Sequence, residues 1–375
     1  MRGGTAGMII AEEIPMSFSC RKLAVQRTDG MKCSSPSLLF DGERTLLLAY
    51  TRFIGNDPYS AKRSEIVMSR SDDLGRTWSD PETVIDPGDF GADSVAFPTL
   101  MKMKNGDISV FFLKVTTKGW VHHTLMCRSS DGGRSFSKDA SDCSLPMFDG
   151  YQMLEGDSVL RLESGRILIP VTFLTGNAPE NSPEKGKTDT CGFGCFCYSD
   201  DDGESFVCSE DEVFPNFTGS GTGFRCGTLA DLGNGCVKAF WGSDMMCQYV
   251  SYSVDGGTHF REAQVSSFSS PCSPLRAVRD PYDGTFIAIW NPEPVYNGRK
   301  YAAHTFGQTS LVLSRLDPSA TRCGEIHMLV SDPGTGYSGP SAVFTGKGSM
   351  VCAFSSGKKD DGSPYGCIEI HSADL

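Results

Sequence analysis

Short apolar runs recur along the whole chain, and polar segments rich in Gly and Pro separate them. The clearest are TLLLAYTRF at 45–53, DISVFFL at 107–113, RILIPVTFL at 166–174 and TFIAIW at 285–290. These runs have the length and the β-branched and aromatic content of strands. No long stretch has apolar residues at sustained helical spacing. The pattern therefore predicts an all-β protein.

One polar phrase returns four times between these runs, as SDDLGRTW at 71–78, SSDGGRSF at 129–136, SDDDGESF at 199–206 and SVDGGTHF at 253–260. It follows Ser-x-Asp-x-Gly-x-(Ser/Thr)-aromatic, and only His259 departs from it. Ser and Asp side chains bond nearby backbone amides, and Gly accepts a positive φ. We therefore expect hairpin turns at these positions rather than an active site.

The spacing of the phrase indicates a repeated structural unit. Its Asp residues are 58, 70 and 54 residues apart, so one supersecondary unit occupies roughly sixty residues. The 375 residues hold about six such units, which fits one closed β-propeller domain spanning 1–375. The N-terminal segment CRKLAVQ at 20–26 is expected to complete the last blade beside CIEIHSADL at 367–375, since closure removes open sheet edges.

Charge and hydropathy exclude two classes of partner. The formal net charge of -12 argues against nucleic acid, because phosphate binding needs a basic surface. No apolar run approaches the ~18 residues that span a bilayer, so no membrane partner is expected. Glu12 and Glu13 lie where a signal peptide would have its apolar core, which predicts a cytoplasmic protein. No cofactor is predicted.

The fifteen cysteines include the dense cluster CGFGCFC at 191–197. A metal site is one interpretation, but the cluster lacks the paired C-x-x-C spacing of zinc ribbons. The alternation of Cys and Phe also fits a buried strand that leads into the third Asp phrase. We favour core packing and predict no metal site.

The repeated phrase resembles the Asp box of sialidase-like β-propellers, also called BNR repeat proteins. Further strings that carry the resemblance are DGERTLLLAYTRF, GDSVLRLESGRILIPV and DPGTGYSGPSAVF. The resemblance implies a six-bladed propeller with its substrate at the central axis. Sialidases of this kind hydrolyse terminal sialic acids with a Tyr nucleophile assisted by a Glu, an Asp acid/base and three Arg that clamp the substrate carboxylate.

The resemblance assigns roles to three residues of this chain. Arg52 occupies the position of a clamp arginine that orients the substrate. Asp57 is the candidate that protonates the leaving group, although an Asn-Asp-Pro sequence is also an ordinary turn. Tyr337 matches the nucleophile. A glycan or small sugar is the partner that these roles imply.

Other family positions carry different residues here. Ser34 lies where the first clamp arginine is expected, another clamp arginine falls near Gln308, and Cys226 lies where the Glu is expected. Ser and Gln cannot reproduce the charge or the forked geometry of a guanidinium. Arg225, Asp157 and Glu155 are therefore secondary candidates for substrate binding. The last two could form a carboxylate pair, although a solvated turn before a strand is the more ordinary interpretation of MLEGDSVL.

Two hypotheses follow from this incomplete set. The first is a sialidase-like glycoside hydrolase that acts on a terminal sialic acid or a related sugar at the axis. The second is a catalytically inactive propeller that binds a glycan or a protein. Axial side chains discriminate them, because an enzyme needs two carboxylates, or a Tyr with a carboxylate, across the site. The sequence leaves the oligomeric state open.

Overall fold

The described residues form six antiparallel sheets arranged as the blades of a β-propeller. The structure is a computed structural model, and it describes residues 18–27, 31–55, 63–116, 121–144, 151–174, 191–216, 219–296 and 299–375. This architecture confirms the predicted all-β fold with six blades.

Each sheet is numbered here by blade, with its strands given from the innermost outward. Blade one contains β2 (Lys32–Phe40), β3 (Leu46–Ile54), β4 (Arg63–Ser71) and β5 (Glu82–Ile85). Blade two contains β6 (Ser94–Lys102), β7 (Ile108–Thr116), β8 (Val121–Ser129) and β9 (Ser141–Asp142). Blade three contains β10 (Tyr151–Met153) with β11 (Leu160–Arg161), then β12 (Ile167–Leu174), β13 (Gly192–Ser199) and β14 (Val207–Cys208).

Blade four contains β15 (Arg225–Gly233), β16 (Cys236–Gly242), β17 (Cys247–Ser253) and β18 (Gln264–Ser269). Blade five contains β19 (Arg276–Arg279), β20 (Phe286–Trp290), β21 (Ser310–Leu316) and β22 (Cys323–Ser331). Blade six contains β23 (Thr335–Gly346), β24 (Ser349–Lys358), β25 (Cys367–Asp374) and β1 (Ser19–Gln26). Short 3-10 helices span Pro87–Phe90, Ala303–Thr305 and Lys359–Asp361. No helix of the described part is long and apolar enough to cross a membrane.

The N-terminal strand closes the ring. β1 pairs antiparallel with β25 as the outermost strand of blade six, with Cys20 opposite Ala373 and Gln26 opposite Ile368. This pairing confirms the predicted role of the segment 20–26. It joins the two ends of the described chain in one sheet and gives the outer edge of β25 a hydrogen-bonded partner.

The core consists of apolar layers between neighbouring blades. On β3, Leu47 and Ala49 pack against blade two, while Leu48 and Tyr50 pack against blade six. Side chains of a strand alternate between its two faces, and here both faces are covered. This explains why the central strands read as continuous apolar runs rather than as an alternation of apolar and polar residues.

The four Asp boxes are tight turns, as the sequence predicts. In each, the Ser hydroxyl accepts the N–H of the Gly four residues later at 2.8 Å. The Asp carboxylate accepts the N–H of the residue four positions on, at 2.8–3.0 Å. In the fourth box the His259 Nδ1 lies 2.6 Å from Asp255 and replaces the usual hydroxyl donor. The departure from the motif therefore keeps the same contact.

The inner strands share a bulge that links each blade to the next. Ser35, Phe97 and Cys226 have φ of 54°, 59° and 55°, and register shifts at these points mark the bulges. Two residues later a hydroxyl side chain reaches the neighbouring blade. Ser37 Oγ accepts the Leu100 N–H at 2.9 Å. In the same way the Ser341 hydroxyl accepts the Leu38 N–H and the Thr99 hydroxyl accepts the Ser158 N–H. The Thr228 hydroxyl instead donates to the Leu275 carbonyl.

The last Gly of the fourth Asp box is expected to tolerate no side chain. Gly257 has φ +87°, and a Cβ there would lie 2.6 Å from Leu168 Cδ2 of blade three. Gly106 has φ +92° with no atom within 4 Å of the same position. Both Ala variants place a side chain on a residue with positive φ, so they share that backbone cost. Gly257→Ala should lower the free energy of unfolding, measured with urea, by ~1–3 kcal/mol more than Gly106→Ala, because only the former overpacks the core. Equal losses would contradict the close contact between the blades.

The first Asp box should contribute stability that depends on pH. The N–H and the hydroxyl of Thr77 lower the pKa of Asp73 to about 2. A carboxyl group whose folded pKa is depressed stabilises the fold above its unfolded pKa and loses that contribution as pH falls toward the folded value. Asp73→Asn should therefore lower the midpoint of thermal unfolding at pH 6, with the difference from the parent protein shrinking between pH 4 and pH 2.

The neighbouring Asp72 supplies the control for this experiment. It is exposed and accepts one bond, from the Thr45 hydroxyl at 3.1 Å. Asp72→Asn should leave the midpoint within experimental error of the parent protein at pH 6. A loss at Asp72→Asn as large as at Asp73→Asn would contradict the assignment of the stabilising contact to the box carboxylate.

Candidate active site at the propeller axis

Asp157 of blade three marks the axis, because it contacts four other blades. Its Oδ1 accepts the Ser37 hydroxyl of blade one at 2.8 Å, and its N–H donates to the Pro98 carbonyl of blade two at 3.0 Å. Its Oδ2 lies 3.2 Å from Nε of Arg276 of blade five, and Ser341 of blade six also bonds to the carboxylate. A residue can reach so many blades only where they converge.

The Asp157–Arg276 pair fills the axis at this level. The two side chains are 5% and 13% exposed, and Arg276 also donates to the Asp157 carbonyl. Burial raises the pKa of Asp157, although Arg276, Ser37 and Ser341 oppose the shift. The carboxylate is therefore engaged in holding the blades together.

Glu155 lies two residues earlier, toward the ends at which the inner strands begin. A Cβ on Gly339 would lie 3.8 Å from Glu155 Oε1 and 3.9 Å from Cα of Ser35, so blades one and six flank this side chain. Burial raises the pKa of Glu155 to about 7, against opposing hydrogen bonds from Cys226 and the Gly156 N–H. A carboxyl group in this state can donate or accept a proton near neutral pH.

Two thiols adjoin Glu155, and the charge of Arg225 acts on both of them. Cys226 bonds to the Glu155 carboxyl group, and burial followed by the Glu155 charge raises the pKa of this thiol. Cys272 is close enough for Arg225, Asp244 and Glu155 all to shift its pKa, after the larger effect of burial. Arg225 donates to the carbonyls of Thr222 and Phe224. We call Glu155, Asp157, Arg225, Cys226, Cys272 and Arg276 the axial cluster.

A cleft of ≈ 620 Å³ lies beside the axial cluster, over blades four to six. Cys272 lines it and so joins it to Glu155. Its exposed walls include Met246, Tyr301 and Phe306. We call this space the upper cleft; its lining is Ser243, Asp244, Met246, Pro271, Cys272, Val295, Tyr301, Ala303, Phe306, Gln308 and Tyr365. Exposed aromatic faces with a few polar groups are typical of ligand sites, and flat rings suit stacking against sugars.

Asp244 brings an ionised carboxylate to the upper cleft. Burial alone would raise its pKa, but hydrogen bonds from Ser220, the Gly221 N–H and Thr222 outweigh it and lower the pKa. The Gly221 N–H bond measures 2.8 Å. The surroundings of Glu155 thus raise its pKa, whereas those of Asp244 lower its pKa. Such a difference between two carboxyl groups allows one to act as an acid and the other as a base or charge stabiliser.

Arg52, the predicted clamp, lies on the second strand of blade one. Its Nε donates to Glu65 on β4 at 2.8 Å, and its Nη2 donates to Thr83 on β5 at 2.9 Å. Since β4 and β5 are the outer strands of the blade, this network runs outward from the inner strand. The structure does not bring the Arg52 guanidinium to the axial cluster.

Tyr337, the predicted nucleophile, lies on the inner strand of blade six. Its ring packs in the apolar layer between blades five and six, 5.9 Å from the ring of Phe354 in an edge-on arrangement. Burial, then the charges of Glu369 and Asp332, raise the pKa of Tyr337 to about 12. The phenol is therefore neutral near pH 7, and its side chain is not part of the axial cluster.

The remaining predictions have mixed outcomes. Asp57 lies outside the described residues. Glu155 and Asp157 lie at the axis, Arg225 directly precedes Cys226, which bonds to Glu155, and Gln308 lines the upper cleft, where it donates to the Cys272 carbonyl at 3.3 Å. The cysteines 195 and 197 are buried in the layer between blades two and three, as core packing predicts. No group of three or more metal-binding side chains occurs in the described parts of the chain.

Arg276 was missed by sequence reasoning, although a signal for it exists. The inner-strand bulges share a short pattern, SPSL at 35–38, FPTL at 97–100, CGTL at 226–229 and GPSA at 339–342. Arg276 directly follows the fifth-blade variant SPL at 273–275. Aligning these strings by their Ser or Thr would have identified the strands that line the axis.

The fold and the position of the site define a sialidase-type six-bladed β-propeller. The family model described as BNR repeat-like domain matches residues 45–352, and the chain belongs to this family. No curated protein sequence matches the chain at a significant level.

Solved structures share the fold at low sequence identity. A protein of unknown function from Dyadobacter fermentans has a TM-score of 0.70 at 18% identity, over 95% of this chain and 99% of that chain. The NanB sialidase from Streptococcus pneumoniae has a TM-score of 0.65 at 13% identity, over 95% and 70%. The intramolecular trans-sialidase from Ruminococcus gnavus has a TM-score of 0.64 at 15% identity, over 92% and 94%.

Removal of the axial cation should destabilise the protein strongly. Arg276→Met leaves the buried Asp157 carboxylate without its charge partner, which we expect to cost ~3–5 kcal/mol in urea unfolding. The double variant Asp157→Asn, Arg276→Met should recover part of that loss, because Asn removes the charge and tolerates the positive φ of 55°. A loss below ~1 kcal/mol in the single variant would show that the pair does not hold the axis.

Proposed function

We propose that this protein hydrolyses the bond to a terminal sugar, a sialic acid or a related sugar, that binds in the upper cleft. The observation that carries the proposal is a half-buried carboxyl group, Glu155, at the axis beside a cleft with aromatic walls. Among the sialidase-type neighbours, the Trypanosoma rangeli sialidase is in complex with sialic acid and the leech intramolecular trans-sialidase with 2,7-anhydro-Neu5Ac. Here the same fold carries a different set of polar groups.

The raised pKa of Glu155 supports a role for this residue as the general acid. A protonated carboxyl group can pass its proton to the glycosidic oxygen as the bond breaks, and the pKa of about 7 keeps a large fraction protonated near neutral pH. Asp244 remains ionised and can stabilise positive charge that develops on the sugar ring. Each role uses a group of the axial cluster or the upper cleft.

Within this class of substrates, the contacts of the arginines near the site favour a related sugar without a carboxylate over sialic acid itself. Among the described residues, Arg276 pairs with Asp157, Arg225 donates to two carbonyls, and Arg299 pairs with Glu293. Recruiting any of them would break an existing contact. A sugar held by stacking on Tyr301 and Phe306, with polar contacts to Gln308 and Asp244, requires no such change.

A catalytically inactive propeller that binds a glycan is the second candidate. Its support is Cys226, which stands where the family resemblance places a Glu, together with the core position of the Tyr337 ring. Such a protein would use the upper cleft for recognition without turnover. In that case a variant in which Glu155 is replaced would bind the same sugars as the parent protein.

The first experiment measures turnover of a panel of aryl glycosides, with a sialoside and several neutral sugars, by the parent protein and by single variants. Glu155→Gln should lower kcat/KM ~10²–10⁴-fold, the typical loss on removal of a general acid. Glu163→Gln is the matched control, since Glu163 is exposed and pairs with Arg279 outside the axial cluster. Each variant is first shown to retain the parent unfolding midpoint.

Two further variants separate this proposal from the mechanism that the family resemblance implies. Asp57→Asn and Tyr337→Phe should each abolish turnover if those residues are the acid and the nucleophile. Retained turnover in both, with loss in Glu155→Gln, supports the Glu155 mechanism. If no substrate turns over, calorimetric titration with the same sugars tests the binding candidate, and absence of binding as well would reject both proposals.

The pH profile gives an independent test. General acid catalysis needs protonated Glu155, so kcat/KM of the parent protein should fall tenfold per pH unit above pH ~7, following the raised pKa. The control variant Glu163→Gln should show the same fall in kcat/KM at high pH. A profile that stays flat from pH 6 to pH 9 would contradict the assignment of the acid to Glu155.

A further inference from the structure

Two cysteines face each other at the outer part of blade three. Cys197 on β13 and Cys208 on β14 are direct partners in the antiparallel register. Cys197 is buried and Cys208 is partly exposed, and their thiols hydrogen-bond to each other. Neither belongs to the axial cluster, and the proposed reaction uses neither.

The backbone pattern shows which kind of pair they form. The Ser209 N–H donates to the Phe196 carbonyl at 3.0 Å, which makes Phe196 and Ser209 a hydrogen-bonded pair. Hydrogen-bonded and non-hydrogen-bonded pairs alternate along an antiparallel ladder, so Cys197 and Cys208 form a non-hydrogen-bonded pair, with Cα atoms about 4.5 Å apart. That separation lies within the range of about 4.4–6.8 Å that disulfides span.

We propose that Cys197 and Cys208 are a redox modification site, at which a peroxide converts the two thiols into a cross-strand disulfide. The Cys208 thiolate attacks one oxygen of hydrogen peroxide and forms a sulfenic acid, releasing the other oxygen as water. The Cys197 sulfur then attacks the Cys208 sulfur and displaces a second water. Two thiols lose two electrons and two protons in total, and hydrogen peroxide is reduced to two waters.

The division of roles follows from exposure and charge. Cys208 is partly exposed and so meets the oxidant first, while Cys197 lies behind it in the layer between blades two and three. The hydrogen bond from Cys197 lowers the pKa of Cys208 to about 7, against the opposing effect of burial. Burial raises the pKa of the nearby Cys195 and Cys143 thiols, so these are poor competitors for peroxide.

The disulfide would fasten the short β14 to the blade. β14 has two residues, and the chain after it crosses to Arg225 and Cys226 of the axial cluster. Along the way it is held by the bridge between Val213 and Gly194 and by the Phe224 N–H bond to the Gly192 carbonyl at 2.8 Å. A cross-link also restricts the unfolded chain, which raises stability. The oxidised protein should therefore unfold at a higher temperature than the reduced protein.

The test oxidises the reduced chain of 375 residues with graded hydrogen peroxide, blocks the remaining thiols by alkylation, and maps peptides by mass spectrometry. Digestion by a protease that cuts before Asp residues separates the two cysteines at Asp200, Asp201 and Asp202. We expect a linked pair of peptides joined through Cys197 and Cys208, a loss of two hydrogens per chain, and a rise of the unfolding midpoint that a thiol reductant reverses.

Cys208→Ser should abolish the linked peptides and the rise in midpoint. Cys236→Ser, at a partly exposed cysteine of blade four, is the matched control and should preserve both. Cys197→Ala should leave Cys208 as a sulfenic acid that dimedone labels; if that variant does not fold, the Cys208→Ser comparison decides. A cross-link from Cys208 to Cys195 or Cys143, or oxidation of Cys208 without any cross-link, would overturn the proposal.

Discussion

Coverage of both faces of every sheet is the constraint on which the rest of this structure depends. Leu47 and Ala49 of β3 pack toward one neighbouring blade, and Leu48 and Tyr50 pack toward the other. An open stack of such sheets would leave one apolar face exposed at each end. A ring has no ends, and the pairing of β1 with β25 also covers the edge at which the ring closes.

Ring closure brings six inner strands together, where their polar groups need partners. The bulges at Ser35, Phe97 and Cys226 turn hydroxyl groups toward neighbouring blades, and the Asp157–Arg276 pair fills the centre. A buried ion pair is an uncertain source of net stability, but loss of one partner leaves a charge without compensation. The Asp157–Arg276 pair therefore occupies the axis at this level, and Glu155 and the upper cleft lie beside it.

Arg52 and Tyr337 lie apart from the axial cluster because side-chain direction depends on details that a motif does not contain. Arg52 and Tyr337 lie on the strands that the resemblance assigned, yet Arg52 reaches outward to Glu65 and the Tyr337 ring enters an inter-blade layer. Side chains alternate between the faces of a strand, and a bulge of one residue reverses the alternation. Glu155 and Asp157, which were secondary candidates, lie at the axis, where the backbone departs from regular strand geometry: Asp157 itself has φ 55°.

The amino-acid sequence by itself determined the blade count, the turns and the closing strand. Each depends on local chemistry that repeats: apolar runs of strand length, Asp boxes with their Ser, Asp and Gly contacts, and a polar spacing near sixty residues. Only the tertiary structure decided that Asp157 pairs with Arg276, 119 residues away, and that Cys226 and Cys272 adjoin Glu155. These contacts join different blades, so they exist only when the ring closes, and no local pattern specifies them.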